Sequence, residues 1–305
     1  MTLLDDIEVI GLGQASLDFL GRVPFFPVEN EKSELETIQI QCGGPASTAM
    51  VTLARLGVRT SFLGSISDDY FGKEIVKGLK AEGVDYSRLT IRPGYTSQLA
   101  FIVISPRNAN RTIFWHRGSV PPLKRDEVTL APFTNARILH IDGLMVEAAM
   151  EAARQARDLG WTIVMDAGTM RQGSPGLVRL VDIVVASEVF AEAIIGPGEN
   201  MERALEVISD MGPGSVVITL GERGSIGREN GKVVFQRSYP VEAVDTTGAG
   251  DVYHGGYIYG ILQGWDMAEC MRFASAVAAM KCRRIGARDG IPRLEEVLRF
   301  MKYRE

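Results

Sequence analysis

Residues 245–251 read Asp-Thr-Thr-Gly-Ala-Gly-Asp and run on into VYHGGYIYGIL. Gly248, Ala249 and Gly250 have almost no side chain, so amides at the start of a helix expected over 249–262 can face a ligand unobstructed. Amides at a helix N-terminus, together with the helix dipole, bind anions, phosphate above all. Asp251 falls in the first helical turn, a position that favours its ionised form. A glycine-rich turn with an acidic cap would account for GAGD in isolation. The combination says more, because an anion pocket and a carboxylate in the same space repel unless a cation or proton donor intervenes. A hydroxyl about to attack a phosphoryl group is such a donor.

The rest of the chain supplies elements that would position this turn. IEVIGLG, TSFLGSI, ILHID, TIVMD, DIVVA and SVVIT are short apolar runs of the kind that form buried parallel strands. Between them, residues 45–57, 69–82, 145–159 and 200–211 carry apolar residues at three- and four-residue spacing. This alternation predicts an α/β fold, a doubly wound and mostly parallel sheet with helices on both faces. Residues 14–40 and 96–118 break the pattern and read as strands joined by turns, the second a hairpin around Pro106 to Asn110. They are expected to form one small β-sheet lid on a single domain spanning 1–305. Active sites of open α/β sheets lie at the carboxyl ends of the strands, where Asp142, Asp166, Thr219 and Gly221 fall. Taken singly, each is equally at home as a helix cap or turn residue.

Composition narrows the partners. The chain has 305 residues, 46% hydrophobic and 23% charged, with net charge −5. An acidic balance argues against nucleic-acid and anionic-membrane surfaces and leaves a small molecule. Cys42, Cys270 and Cys282 are odd in number and far apart, which indicates neither a disulfide framework nor a zinc cluster and suits a reducing cytoplasm. The start MTLLDDIEVI lacks a basic segment, and no apolar run is long enough to span a bilayer.

DTTGAGDVYHGG at 245–256 resembles the second signature of the ribokinase-like sugar kinases, the phosphofructokinase-B type family, and GGPASTAMVTLARLG at 43–57 resembles their first. Order and spacing agree over nearly the whole chain, lid included. The resemblance implies an ATP-dependent kinase of this fold. Asp251 would be the base on the acceptor hydroxyl, and the amides of Gly248, Ala249 and Gly250 the anion hole. Asp18 would bind sugar hydroxyls, with Gly43 and Gly44 letting the backbone approach the sugar. Arg111 matches an arginine that some members direct from the lid at the phosphates. Thr219, Gly221 and Gly224 match the segment bordering the nucleotide, and Ala276 and Ala279 the stretch flanking adenine, where helix packing is the alternative explanation. Magnesium would travel with the triphosphate, held by phosphates and water. A potassium ion near Asp245, Thr247 and Gly286 is a further implication.

Departures sharpen the comparison. Many relatives carry NxxE after the fifth strand, but SEVF puts Ser187 and Phe190 there, with Glu188 and Glu192 out of register. Thr48 stands where a sugar-binding asparagine is common, and Gly168 replaces the asparagine of a DxNxR pattern, leaving Asp166. GGPASTA, NRTI, ILHIDG, SEVF and FASAVAAMKC resemble the ketohexokinase and sulfofructose-kinase branch, which makes a ketohexose such as fructose the expected substrate. Leu144 and Met145 follow HIDG where an arginine would be needed for a sulfonate or phosphate. Ribose, a nucleoside or a sugar acid remain alternatives.

Other classes fit less well. IEVIGLGQAS opens like a dinucleotide-binding turn, but Ser16 occupies the place of the third glycine and no helix follows. No GxxxxGK[ST] occurs, which removes a P-loop kinase. A non-catalytic sugar-binding regulator on the same fold is the remaining competitor, and the intact GAGD box speaks against it. Phe101, Ile102, Val103, Ile104, Ile113, Phe114 and Trp115 give the lid strands more apolar residues than a solvated sheet needs. One face would cover the sugar, and the other is expected to meet a second subunit in a homodimer.

Overall fold

The computed structural model describes residues 3–105 and 109–303. The sheets are built from fourteen strands: β1 (Val9–Leu12), β2 (Ser16–Arg22), β3 (Thr37–Gly43), β4 (Thr60–Leu63), β5 (Ser65–Ser67), β6 (Thr90–Arg92), β7 (Leu99–Ile104), β8 (Arg111–His116), β9 (Ile138–Ile141), β10 (Thr162–Ala167), β11 (Ile183–Ser187), β12 (Ser215–Thr219), β13 (Ser225–Glu229) and β14 (Lys232–Gln236). Between and after them lie α1 (Pro45–Arg55), α2 (Tyr70–Ala81), α3 (Val146–Asp158), α4 (Ser174–Val178), α5 (Glu188–Ile195), α6 (Met201–Asp210), α7 (Ala249–Leu262), α8 (Met267–Lys281) and α9 (Leu294–Lys302).

The main sheet has the order β14-β13-β12-β11-β10-β9-β1-β4. Its six strands from β12 to β4 pair in parallel, and β13 and β14 add an antiparallel edge. Alternate residues of each buried strand feed opposite faces, as the two-residue period of a strand requires. Ile163 and Met165 pack with α3, α5 and α6, whereas Val164 packs on the opposite face with α1, α7 and α8. Helices therefore cover both faces, and the carboxyl ends of β1, β9, β10, β11 and β12 open on one edge.

The remaining long strands form a second, four-stranded sheet in the order β3-β2-β7-β8. Here β2 pairs parallel with β7, while β3 and β8 flank them antiparallel. The chain between β7 and β8, around Pro106 to Asn110, lies partly outside the described residues. Burial in this sheet is more one-sided than the apolar composition suggested. Ile102 and Ile104 turn inward with Leu20 and Ala100 into a small core of their own. Phe101 and Phe114 stay exposed on the opposite face.

The β13–β14 hairpin has no counterpart in the apolar runs. Its turn is Asn230-Gly231, both at positive φ, the residue pair that favours a tight two-residue hairpin. That local signal was present in RENGKV. No helix among the described residues is long and apolar enough to cross a membrane.

Candidate active site

A cavity of about 440 Å³ opens between the second sheet and the carboxyl edge of the first. Gly248, Gly250 and Asp251 line it at the start of α7. Gly248 adopts φ 74 and precedes the helix, and a Cβ there would come within 2.8 Å of the Ala287 Cβ. Only glycine makes this turn against the loop that follows α8. Gly250 is different: a Cβ on it would meet nothing within 4 Å. Its missing side chain leaves cavity rather than relieving strain. The Ala249 amide is already committed to the Thr246 carbonyl at 3.2 Å, and Ala249 does not line the cavity. The expected anion hole of three amides thus shrinks to those of Gly248 and Gly250, because closing the turn uses the middle one.

Asp251 projects from this turn into the cavity wall. Burial, with Asp166 adding repulsion and His254 and Arg111 pulling the other way, pushes its carboxyl up to about 7. A carboxylate poised near neutrality suits a general base. Arg111, on β8, reaches across from the second sheet and donates from Nη1 to the Thr246 hydroxyl at 3.0 Å. It also lines the cavity, so a guanidinium and the Gly248 and Gly250 backbone face one volume.

At the opposite end the cavity is walled by Asp18, Ser16, Gln14, Gln98 and Gly44. Ser16 donates from its hydroxyl to Asp18 Oδ1 at 2.7 Å, and burial raises the Asp18 carboxyl to about 6 despite that bond and the Arg288 charge. Gly43 is needed for the carboxylate itself, since a Cβ there would sit 2.0 Å from Asp18 Oδ2. Gly44, at φ 95, would drive a Cβ to 2.3 Å from the Gln14 carbonyl. These glycines admit Asp18 and the β1–β2 turn, a packing reason that precedes any approach to ligand. Asp142 ties the same corner together, its Oδ2 accepting from the Gln14 amide at 2.7 Å and its Oδ1 from the Leu144 amide at 3.0 Å. Burial nonetheless holds it up at about 6.

Some expected residues are placed elsewhere. Thr48 is fully buried in α1 and does not line the cavity. Ala276 is a core residue in the cluster with Val252, Ile258 and Phe273, and Ala279 is likewise buried. Helix packing is the account the structure gives of both. Thr219, at the end of β12, does line the cavity. Gly221 and Gly224 both turn with positive φ just beyond it, and a Cβ on Gly224 would lie 2.0 Å from the Gln236 carbonyl.

The expected cation site is occupied by the protein's own groups. Asp245 Oδ1 accepts from the Thr247 amide at 2.8 Å and hydroxyl at 2.7 Å, and Oδ2 from the Gly286 amide at 2.7 Å. The buried Lys281 ammonium donates to the Asp245 carbonyl at 2.9 Å. Each oxygen of this carboxylate thus already accepts from the protein, and the Lys281 nitrogen stands at the adjacent carbonyl, an arrangement that supplies donors where a potassium ion needs acceptors. Among the described residues no group of three or more His, Cys, Asp or Glu side chains is placed to hold a metal. Ser187 caps α5 by accepting from the Phe190 amide at 3.0 Å, and Glu188 pairs with Arg223. Magnesium fits as an ion that arrives on a triphosphate, with no dedicated protein cage.

Three cavity residues gave weaker sequence signals. Asp166 stood out by its place at a strand end and as what is left of the DxNxR pattern. His254 is three residues beyond Asp251, a spacing that puts both on one face of α7. Arg171, in the loop after β10, lines the cavity, and its side chain makes no hydrogen bond or ion pair among the described residues. The cation missing after HIDG in the sequence is thus present from a neighbouring loop.

Comparison with known proteins agrees with this geometry. The description "pfkB family carbohydrate kinase" matches residues 6–294. A ribokinase of Haemophilus influenzae is 29% identical over 96% of this chain and 97% of its own. A 5-dehydro-2-deoxygluconokinase of Clostridium perfringens is 28% identical over 97% of this chain and 93% of its own. The structure of Arabidopsis thaliana ribokinase complexed with ribose and ATP superposes with a TM-score of 0.84, at 25% identity, covering 97% of this chain and 99% of that one.

Proposed function

Because the chain belongs to the pfkB family of carbohydrate kinases, we propose that this kinase transfers the γ-phosphoryl group of ATP to a hydroxyl of a ketohexose such as fructose. The observation that carries the reading is convergence: Asp251, the Gly248 and Gly250 amides, Arg111 and Asp18 all line one cavity. Asp18 with Gln14 and Gln98 holds the sugar hydroxyls, and Asp251 accepts the proton of the one that reacts. That oxygen forms its bond to the γ-phosphorus as the bond to the β-phosphate oxygen breaks, and ADP leaves. The Gly248 and Gly250 amides and Arg111 hold the phosphoryl oxygens where charge develops, which is where fixed donors lower a barrier most. Magnesium supplies neutralisation of the triphosphate when bound. Thr219 with the Gly221 and Gly224 turn borders the nucleotide. Potassium is not carried into this reading, given the occupied Asp245 carboxylate.

A second substrate reading rests on Arg171. A guanidinium without a side-chain partner among the described residues, in a cavity lined by Asp18, Asp142 and Asp166, favours an acceptor that brings its own carboxylate. The C. perfringens relative is named for such a sugar acid. ATP consumption measured across fructose, ribose, adenosine and ketodeoxygluconate decides between the readings. Fructose preference supports the first and ketodeoxygluconate preference the second. A nucleoside preferred by a wide margin overturns both while leaving the kinase.

The outer face of the second sheet is proposed to meet another copy of the chain. Ile40, Phe19, Phe101 and Phe114 are successive register partners across its four strands, and Phe19 stacks on Phe101 with ring centroids 5.3 Å apart. An unbroken apolar row of this kind on an exposed lid favours burial between subunits.

A further inference from the structure

The residue that most needs a role is His254. It is buried, lines the cavity, and is fixed by a single polar contact, its Nε2 lying 3.2 Å from Asp166 Oδ1. Its Nδ1 has no partner among the described residues. The contact joins α7 to the end of β10 directly behind the Asp251 carboxylate.

Two carboxylates of adjacent elements, the buried Asp166 and the half-buried Asp251, repel, and such a pair shares a proton unless a cation separates their charges. The groups facing Asp251 define what is available. From β10 comes Asp166; from α7, His254; from β8, Arg111; and from the turn after β9, Asp142. Lys281 of α8 also interacts but is held by the Asp245 carbonyl. His140 of β9 lies with its ring centroid 5.6 Å from that of His254, and burial keeps it neutral by pulling it down to about 3. Arg111 belongs to the lid and would be drawn to incoming phosphates. Arg171 lines the same cavity, and His254 is the cation in direct contact with Asp166.

We propose that His254, held by Asp166, is a positioning residue whose imidazolium offsets the Asp166 carboxylate and so keeps Asp251 ionised and ready to accept the hydroxyl proton. This rests on the reading of Asp251 as the base. Burial pulls the imidazolium down, but the Asp166 charge, its hydrogen bond and Asp251 together raise it above the ordinary histidine value. On Asp166 burial pushes up, and the His254 charge and hydrogen bond bring the carboxyl below its usual range. Both directions favour the ion-paired form of the contact.

The sign follows. Replacing His254 by Asn leaves Asp166 and Asp251 uncompensated, so Asp251 holds its proton to higher pH. The acid limb of kcat/KM should move up by about one pH unit or more, and activity at pH 7 should fall roughly tenfold while recovering near pH 9. Replacing both partners, His254→Asn with Asp166→Asn, removes the repulsion with the cation and should bring the limb back toward its original position. A purely structural His254 would lower activity at every pH and the double variant would be worse than the single one.

The experiment is the pH profile of both variants, with the sugar selected by the substrate panel, beside imidazole ¹⁵N NMR of the unmodified protein. The chain has three histidines, and beside the exposed His116 the spectrum should hold a neutral His140 and a His254 protonated on both nitrogens at pH 7. A neutral His254 at pH 7, or an unshifted acid limb in a folded His254→Asn protein, overturns the proposal even where no variant is stable enough for full kinetics. Asp251→Asn separates the two ideas. If it abolishes turnover while His254→Asn leaves the limb in place, the base stands and the role of His254 falls.

Discussion

Arg111 Nη1 lies 3.0 Å from the Thr246 hydroxyl, joining a strand of the lid sheet to the turn that carries the candidate anion hole. The loop after α8, which donates the Gly286 amide to Asp245 at the start of that turn, also meets this sheet, since Gln41 of β3 donates from Nε2 to the Ile285 carbonyl at 3.2 Å. Lid position and phosphate site are therefore mechanically connected. Arg111→Ala should lower kcat by about 10²-fold, the range seen when a single fixed donor to a developing charge is lost. Thr246→Val removes the tether but spares the guanidinium, and its loss should be under about tenfold, a neutral hydrogen bond contributing about 1 kcal/mol. Steady-state kinetics on both proteins, with circular dichroism as the control for folding, checks the ranking. Equal losses would mean that Arg111 only positions the lid.

Asp251→Asn should lose kcat by roughly 10²- to 10⁴-fold, the usual contribution of a general base, while still binding sugar and nucleotide in calorimetry. It should also be more stable than the unmodified protein at pH 8. The Asp251 carboxyl is raised to about 7 by burial and by Asp166, so above that pH the folded state holds a charge that the unfolded chain solvates better. The gain from Asn is full above about pH 7, declines as pH falls and vanishes below the ordinary carboxyl range. Discounted for water in the cavity, about 1–2 kcal/mol is expected at pH 8. Thermal melts at pH 8 and pH 4 should show a difference at the first and none at the second. A variant no more stable at pH 8 would argue that water reaches the carboxylate freely.

Much of this arrangement was readable from residues 245–251, because small residues before a helix and an acid in its first turn have few other uses in combination. The parallel strands were readable too, since Val- and Ile-rich runs buried on two faces cannot alternate. What escaped was set by packing in three dimensions. Gly43 clears space for the Asp18 carboxylate, a reason invisible without the register that sets β3 beside β2. Ala276 looked like a residue kept small for a ligand and is kept small for α7. Arg171 arrives from a loop whose sequence spacing matched no pattern, and Lys281 was indistinguishable from a helix-terminal lysine until its ammonium was seen against Asp245.

The Lys281 ammonium has a consequence for monovalent ions. With the Lys281 nitrogen donating to the Asp245 carbonyl and both carboxylate oxygens already accepting, turnover with K⁺ replaced by tetramethylammonium should stay within about twofold, since no ion-binding free energy is withdrawn. Dependence on K⁺ of tenfold or more would show that carbonyl oxygens around this turn recruit an ion despite Lys281.

The row Ile40, Phe19, Phe101 and Phe114 should bring two chains together through their lids. Light scattering at micromolar concentration is expected to give twice the 33.3 kDa chain mass. Phe101→Glu with Phe114→Glu places charge on the exposed face and should yield a folded monomer. A monomer mass for the unmodified protein would rule out this interface.

Gly250 and Gly248 offer the sharpest separation of binding from folding, because the turn treats them oppositely. A Cβ on Gly250 points into open cavity, so Gly250→Ala should melt within about 1 kcal/mol of the unmodified protein, the ordinary effect of a Gly-to-Ala change in a helix. The added methyl occupies space between the Gly248 and Gly250 amides and the incoming phosphate, so nucleotide affinity should fall while sugar affinity holds. Gly250→Val should fail by the same obstruction, more severely, with no backbone strain to relieve at a helical φ. Gly248 at φ 74 is penalised in a left-handed turn and its Cβ would press on Ala287, so Gly248→Ala should destabilise by about 1–3 kcal/mol. Gly43→Ala supplies the third corner: its methyl displaces the Asp18 carboxylate, and sugar affinity should fall with nucleotide affinity unchanged. Calorimetric titration of each ligand into the four variants, with melts alongside, reads all of this. If Gly250→Ala binds nucleotide normally, the amides flanking it do not meet the phosphates, and the anion hole must be sought at Arg111 and Arg171.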